Sequence, residues 1–494
     1  MRSARELSVV AGIAALMAFG AAAGAADAPV AGEFYVPENP RYTIVDSVVD
    51  SLRFTVEKTL TRCEKGHLAS ISSFVDPDAN VMGWHDFGYL EGPGWAANAV
   101  GGAYEIYLFG GFLGKKDWQD KALLVLDHVL GCGFIDEETG FITPYRMTPE
   151  GIAAKKPASP FCLNYKHNSD WICPGSMAKV AYQLLIFADE LSDATRAARM
   201  RTAAARTGQW LRANLPAVEN GWFPRRVTAK GELYRKSPDG GNDPFWQTSA
   251  DGLFILQLWT ALTARGVADY TALVAAKTDV FIKQGGIFGS INHDTYDANE
   301  NVAYAVAFRV LREVARVLRR PDVAEFARAK CLAGLEQFKM RDDRNGVATK
   351  GLLFMEKTWP TSYLWENAEA ALAHFECAVD LRSTDKDKRA ALVRDGLTIL
   401  RAAAKHHHGK HGFLTEGVDW SNHVSEKHHI DGAFYGDIKY TEPFLNNQHI
   451  AEPTLFYLKQ LATVGVAEAE DGAKRNEWRD AEGNVIVSLP ARTK

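Results

Sequence analysis

The sequence predicts an all-α fold, an (α/α)6 toroid in which six helical hairpins set an inner ring inside an outer ring. Three observations point there. Helical periodicity runs through most of the 494 residues and gives about twelve helices in pairs. The helices alternate between two kinds, amphipathic and apolar nearly all round. Long loops recur at alternate connections, each before a helix of the apolar kind. No Pro-rich or Gly/Ser-rich linker divides the chain, which favours one large domain over several.

The amphipathic helices are expected near 45–61, 116–130, 193–213, 268–283, 321–340 and 384–404. In the third, Arg196, Arg199, Arg206 and Arg212 lie beside Ala197, Met200, Ala204 and Leu211. Pro321 and Asp322 make a good helix start, because proline lacks an amide proton that would go unused there. The apolar helices are expected near 95–110, 175–190, 250–264, 300–318, 366–381 and 453–463. A helix apolar on most sides is buried on most sides, so these form the inner ring. Their N-termini share one end with the long loops, and the partial positive charge there favours anionic groups. The strand signal is weak, with small hairpins expected only around Gly221–Pro224 and Gly412–Thr415.

At the start of the chain, Arg2 and Arg5 precede an apolar stretch from Val9 to Ala23 and the small residues Gly24-Ala25-Ala26. This reads as a secretory signal over residues 1–26, so a periplasmic or secreted protein is expected. The toroid would span 27–463, with no membrane span in the mature chain, and the charged, aperiodic residues 464–494 would form a surface tail. A net charge of -5 leaves no basic footprint for nucleic acid. Six cysteines are too few for a disulfide scaffold. Cys162 and Cys173 flank one loop and could close it, or stay as thiols; Cys331 and Cys377 sit on helix patterns as buried small hydrophobes.

The most informative segment is Gly83-Trp84-His85-Asp86-Phe87-Gly88-Tyr89-Leu90-Glu91-Gly92-Pro93-Gly94-Trp95. It sets two carboxylates among aromatic rings just before an apolar helix. Aromatic rings stack on sugar faces, and a carboxyl group that loses water there gains a pKa suited to a general acid. Comparable segments recur before later apolar helices. They hold His167, Asp170 and Trp171; Trp246 and Asp251; Tyr296; Trp365 and Glu366; and His449. Asp86, Asp170 and Asp251 are the candidate catalytic residues. Trp84, His85, Glu91, His167, Trp171, Trp246, Tyr296, Trp365, Glu366 and His449 are the candidate substrate contacts. Asp251, Glu366 and Asp170 stand near helix starts, where carboxylates also cap amide protons. Glycoside hydrolysis needs such a proton donor and usually a second carboxylate.

The segment His85-Asp86-Phe87-Gly88-Tyr89-Leu90 resembles one in glycoside hydrolase family 88, the unsaturated glucuronyl hydrolases, which have the six-hairpin toroid. Asp251-Gly252-Leu253-Phe254 resembles the segment that carries the catalytic acid of family 105. The resemblance implies that Asp86 or Asp251 protonates the enol-ether double bond of an unsaturated uronyl sugar, after which water adds. It departs at Asp170, which precedes Ile172-Cys173-Pro174-Gly175 where family 88 opens an inner helix at once.

The leading expectation is therefore a glycoside hydrolase acting on acidic, uronate-containing oligosaccharides. Two alternatives stay open. A polysaccharide lyase would use a Tyr or His base, and Tyr165, His167, His293 and Tyr296 supply those types. A non-catalytic glycan-binding protein could keep the same fold. No cofactor is expected. No metal is expected either: His406, His407, His408, His411, His423, His428 and His429 crowd near the C-terminal end, but no zinc-finger or metalloprotease spacing occurs, and a solvated basic loop is the simpler reading.

Overall fold

The computed structural model describes residues 32–70, 74–81, 90–94, 98–148, 153, 171–237, 241–291, 296–356, 361–381, 385–408, 412–420, 436–438, 440–470 and 472–491. In chain order its α-helices are α1 (Ile44–Phe54), α2 (Ala99–Leu113), α3 (Lys116–Gly131), α4 (Pro174–Glu190), α5 (Ala194–Asn214) and α6 (Gly252–Ala264). They continue as α7 (Thr271–Lys283), α8 (Asn301–Leu318), α9 (Pro321–Phe326), α10 (Leu364–Asp380), α11 (Lys386–Ala404) and α12 (Ala451–Gln460).

The even-numbered helices form the inner ring and the odd-numbered ones the outer ring. Successive inner helices pack side by side, and α12 closes the circle against α2. Each outer helix packs on an inner partner, with α1 joining α12 across the chain ends. The sequence shows why. On α6, Leu253, Phe254, Ile255, Leu256, Leu258, Trp259 and Leu262 are all buried, on every side of the helix. On α7 only Val274, Thr278 and Phe281 are buried, one stripe at helical spacing. Arg196 and Arg199 of α5 reach back to Asp127 and Glu137 of the neighbouring hairpin, on the half-exposed face the periodicity predicts. The fold class is thus the (α/α)6 toroid. Among the described residues, no helix is long and apolar enough to cross a membrane.

Two outer helices depart from the expected spans. α1 gives way to a wide π-type turn at Thr55–Thr59, and α9 breaks after one and a half turns into a π-type stretch (Ala327–Leu332) and a 3-10 turn (Leu335–Phe338). The end of the chain also differs. Instead of an aperiodic tail, Thr463–Glu468, Lys474–Arg479 and Val485–Pro490 form a three-stranded antiparallel sheet on the surface. Trp478 anchors it edge-on to Phe112 at the C-terminal end of α2. Phe413–Leu414 pairs with His407–His408 as a small hairpin, but Gly221–Pro224 stays a loop, and the pairing nearby is Trp171–Ile172 with Val227–Thr228. His406 and His407 are not solvated: they bond to the Ala348 carbonyl and the Ser47 hydroxyl, and burial pushes the His407 ring down to about 4. His411, His423, His428 and His429 lie outside the described residues.

Candidate active site at the mouth and axis of the toroid

All six inner helices send polar side chains to the axis. Asn98 and Glu105 come from the start of α2, Lys179 and Gln183 from α4, Gln257 from α6, Arg309 from α8, Glu369 from α10, and His449 and Glu452 from the start of α12. They surround a cavity of about 40 Å³. That is room for roughly two or three waters. The mouth of the toroid lies above it, at the end where the inner helices begin.

His449 is the centre of this cluster. Its Nδ1 lies 2.7 Å from Glu105 and its Nε2 3.1 Å from Glu369, so both ring nitrogens face carboxyl oxygens. Only the imidazolium can donate from both. Burial disfavours that charge, but Glu105 and Glu369 outweigh it and raise the ring to about 10. Arg309 bonds Glu369 at 2.5 Å, Glu452 at 3.3 Å and Glu376 at 3.4 Å. Burial pulls the Lys179 ammonium below its usual pKa, although Glu369 and Glu105 resist. Three cations thus meet four carboxyl groups, Glu105, Glu369, Glu376 and Glu452. Burial pushes the Glu105 carboxyl up to about 7 and raises Glu376 as well.

One helical turn nearer the mouth stands Asp251, directly before α6. Phe254, a turn below it, already lines the axial cavity. Asp251 is 4% exposed, and burial pushes its carboxyl up to about 7 even though Arg225, Ser249 and Arg226 pull the other way. A carboxylic acid with that pKa can hold a proton near neutrality and give it up. The start of α4 abuts it. A Cβ on Gly175 would come within 2.5 Å of the Asp251 carbonyl oxygen, so only glycine lets the two segments approach this closely. Gly175→Ala should force them apart and cost about 1–3 kcal/mol, read as a lowered urea midpoint.

Arg225 and Arg226 are fully buried, and both pair with Asp243. Arg225 lies 4.9 Å from the Tyr296 ring centre, and the Arg226 guanidinium donates to the Tyr296 hydroxyl at 3.4 Å. Tyr296 is 39% exposed, so this cation pair connects the buried acid to the surface. Trp171 is buried with Arg226 at 5.1 Å from its ring, and Trp246 is half-buried with Arg235 at 4.1 Å.

Asp251, Trp171, Tyr296 and the axial His449 are thus brought to one end of the toroid. Trp365 and Glu366 belong there too, but inside the first turn of α10 rather than in the loop before it. Trp365 packs edge-on to His449, and Glu366 accepts from Asn301, tying the starts of α10 and α8 together. Glu91 faces elsewhere: its carboxylate takes His128 of outer helix α3 at 3.0 Å and Arg146 at 2.6 Å. Trp84, His85, Asp86, His167 and Asp170 lie outside the described residues, as does Cys162. Cys173 is a buried thiol that burial pushes up to about 12. Sequence reasoning missed Glu105, Lys179, Arg309 and Glu369. The signal was clearest for Glu105, the one charged residue in the apolar helix α2. A wider groove of about 430 Å³ opens at the far end, between the C-terminal sheet and the end of α2. It is lined by Tyr107, Phe112 and Trp478, with Glu190 and Lys459 at its edge.

No protein-family model matches the sequence, and no curated protein sequence matches it. Solved structures do. A sugar epimerase from a ruminal bacterium overlays with a TM-score of 0.57 at 13% identity, over 85% of this chain and 98% of its own. A D-mannose isomerase gives 0.56 at 9% identity, over 85% and 97%. An unsaturated glucuronyl hydrolase from Bacillus sp. GL1 gives 0.46 at 13% identity, over 84% and 96%. At such identities the likeness is one of fold. The chain is built on the six-hairpin (α/α)6 toroid, as the order of its helices and the two overlays above 0.5 together establish.

Proposed function

We propose that the protein is a carbohydrate-active enzyme that hydrolyses acidic, uronate-containing oligosaccharides, with Asp251 as proton donor. The observation that carries this reading is the Asp251 carboxyl, raised to about 7 by burial at the start of an inner helix. The buried Arg225 and Arg226 add positive potential around Asp251, and Tyr296, which Arg226 touches, offers a ring at the surface. Asp86 and Asp170 are the partners proposed for the second carboxylate role. Residues 1–26 support a periplasmic or secreted location.

A second reading has its own support. The overlays above 0.5 are with proteins named as an epimerase and an isomerase. Those reactions move a proton at a carbon, and the charged His449 between two carboxyl groups is a proton-handling group on the toroid axis.

One set of assays separates the readings. Unsaturated uronyl disaccharide is supplied first, and a fall in its conjugated-uronate ultraviolet absorbance is expected. A rise in that absorbance on polyuronate would instead mean lyase chemistry, and Tyr296→Phe would then be the variant to test. Cellobiose and mannose in deuterated water, followed by NMR, report epimerisation as deuterium entering C2 and isomerisation as deuterium entering C1 of the ketose product. No change in any of the three, with retained oligosaccharide binding, would leave an ordinary hydrolase or a glycan-binding protein, which release of reducing ends from a saturated uronate oligosaccharide separates.

A further inference from the structure

Away from the mouth, four metal-ligating side chains meet where a hairpin packs on outer helix α3. Strands Leu60–Arg62 and Leu68–Ser70 pair antiparallel, with Arg62 opposite Leu68. The turn between them runs from Cys63 to His67. It is closed by the Cys63 amide on the His67 carbonyl at 3.0 Å and the Gly66 amide on the Cys63 carbonyl at 2.8 Å. Gly66 takes a φ of +79°, a conformation that favours glycine. The turn thereby holds Cys63 and His67 side by side. On α3, His128 and Cys132 are four residues apart and so share one helix face. The Cys132 amide still bonds the His128 carbonyl at 3.0 Å, so the helical spacing persists to that residue.

The two pairs converge. The sulfurs of Cys63 and Cys132 and one ring nitrogen of His128 all lie within 4.8 Å of one another. His67 Nδ1 is 3.8 Å from the Cys132 sulfur. Tetrahedral zinc with bonds near 2.3 Å to sulfur and 2.0 Å to nitrogen places its ligand atoms about 3.5–3.8 Å apart. The cluster needs only side-chain adjustments to reach that spacing.

A second observation points to a ligand. His128 is 2% exposed, and its Nε2 is engaged by the Glu91 carboxylate at 3.0 Å. The other nitrogen, Nδ1, is buried with no hydrogen-bond partner. Such an orphan is costly unless something occupies it. A carboxylate on the far side of an imidazole is also how metal-binding histidines are oriented and made more basic. Glu91 is itself fixed by Arg146, whose guanidinium also donates to the Cys132 carbonyl. Lys65 adds a 2.6 Å bond to the Gly131 carbonyl, clamping the turn to the end of α3.

We propose that Cys63, His67, His128 and Cys132 bind one structural Zn²⁺. Two thiolates and two neutral imidazoles neutralise the ion, and four protein ligands leave no open position for chemistry. The metal ties the hairpin that follows α1 to α3, and so supports the toroid from outside. Binding replaces the two thiol protons, which go to solvent. The site is independent of the proposed carbohydrate chemistry.

The test uses the full chain, purified without chelator and analysed by elemental mass spectrometry. About one zinc per chain is expected. Cobalt(II) added to metal-free protein should give the visible bands of a tetrahedral thiolate site. Strong chelation should lower the thermal midpoint, and zinc should restore it. Cys132→Ser should abolish stoichiometric zinc. His67→Ala, which alters the half-exposed edge and keeps the fold, should weaken zinc binding at least tenfold. Zinc well below stoichiometric in the folded wild-type chain, with no cobalt bands, overturns the proposal. So does a peptide map showing Cys63 bonded to Cys132, which would mean that the pair closes as a disulfide.

Discussion

Asp251→Asn is expected to lower kcat by about 10²–10⁴, the range a positioned general acid contributes. The same substitution should make the protein more stable at alkaline pH. The sign follows from linkage. Burial raises the carboxyl from its ordinary 3.8 to about 7, so the native state holds this proton more tightly than the unfolded chain does. The associated stability is fully present below about pH 4 and is lost as pH rises through about 7. Above that, the wild-type chain must bury a charge, whereas asparagine stays neutral. A shift of about three pKa units sets a ceiling near 4 kcal/mol, so a gain of about 1–4 kcal/mol is expected in urea unfolding at pH 8. Wild-type activity should fall along a limb centred near pH 7 as the donor ionises. Loss of activity with gained stability marks a residue kept for chemistry at a cost to the fold. If D251N keeps most of its activity, the donor lies elsewhere, and Asp86→Asn and Asp170→Asn, run alongside, identify which carboxyl carries it.

The contrast between α6 and α7 shows what could be read from residues alone. Leu253 to Leu262 is apolar around the whole helix, while Val274, Thr278 and Phe281 mark a single stripe. That difference places one helix inside and the other outside before any coordinates are known. The breaks were not legible. Ala327–Leu332 widens its turn where it packs against α8, although its residues favour an ordinary helix. The C-terminal sheet was hidden by charge. Lys474–Arg479 is polar apart from Trp478, and it pairs with Val485–Pro490, which lies beyond a turn. At the site, single residues were legible and partnerships were not. Asp251 announced itself at a helix start, but Arg225 and Arg226 meet Asp243 across a loop with no periodic signal. The Cys63, His67, His128 and Cys132 cluster escaped for a similar reason. Its two halves are about sixty residues apart, and the second reads His then Cys, so no zinc-finger spacing appears.

His449→Asn is expected to destabilise the protein by about 3–5 kcal/mol, the cost of removing one partner from a buried ionic cluster. The imidazolium faces both Glu105 and Glu369, and asparagine brings no charge to hold them. Glu105 and Glu369 would then face each other with Arg309 and Lys179 to offset them, at the point where α2, α10 and α12 meet. Adding Glu105→Gln should recover part of the loss. Glutamine removes one of the opposed charges and can still bond Gln448, which already donates to Glu105 at 3.1 Å. The pair should therefore be strongly non-additive, as contacting charges are. The pH dependence gives an independent check. The ring is raised from 6.5 to about 10, so its contribution is complete below about pH 6.5 and fades as pH climbs towards 10. Wild-type unfolding free energy should drop over that interval, and the drop should be much shallower in H449N. A loss below about 1 kcal/mol, with the alkaline slope unchanged, would mean that the six inner helices hold their ring by apolar packing alone. The axial charges would then be free to serve the substrate rather than the fold.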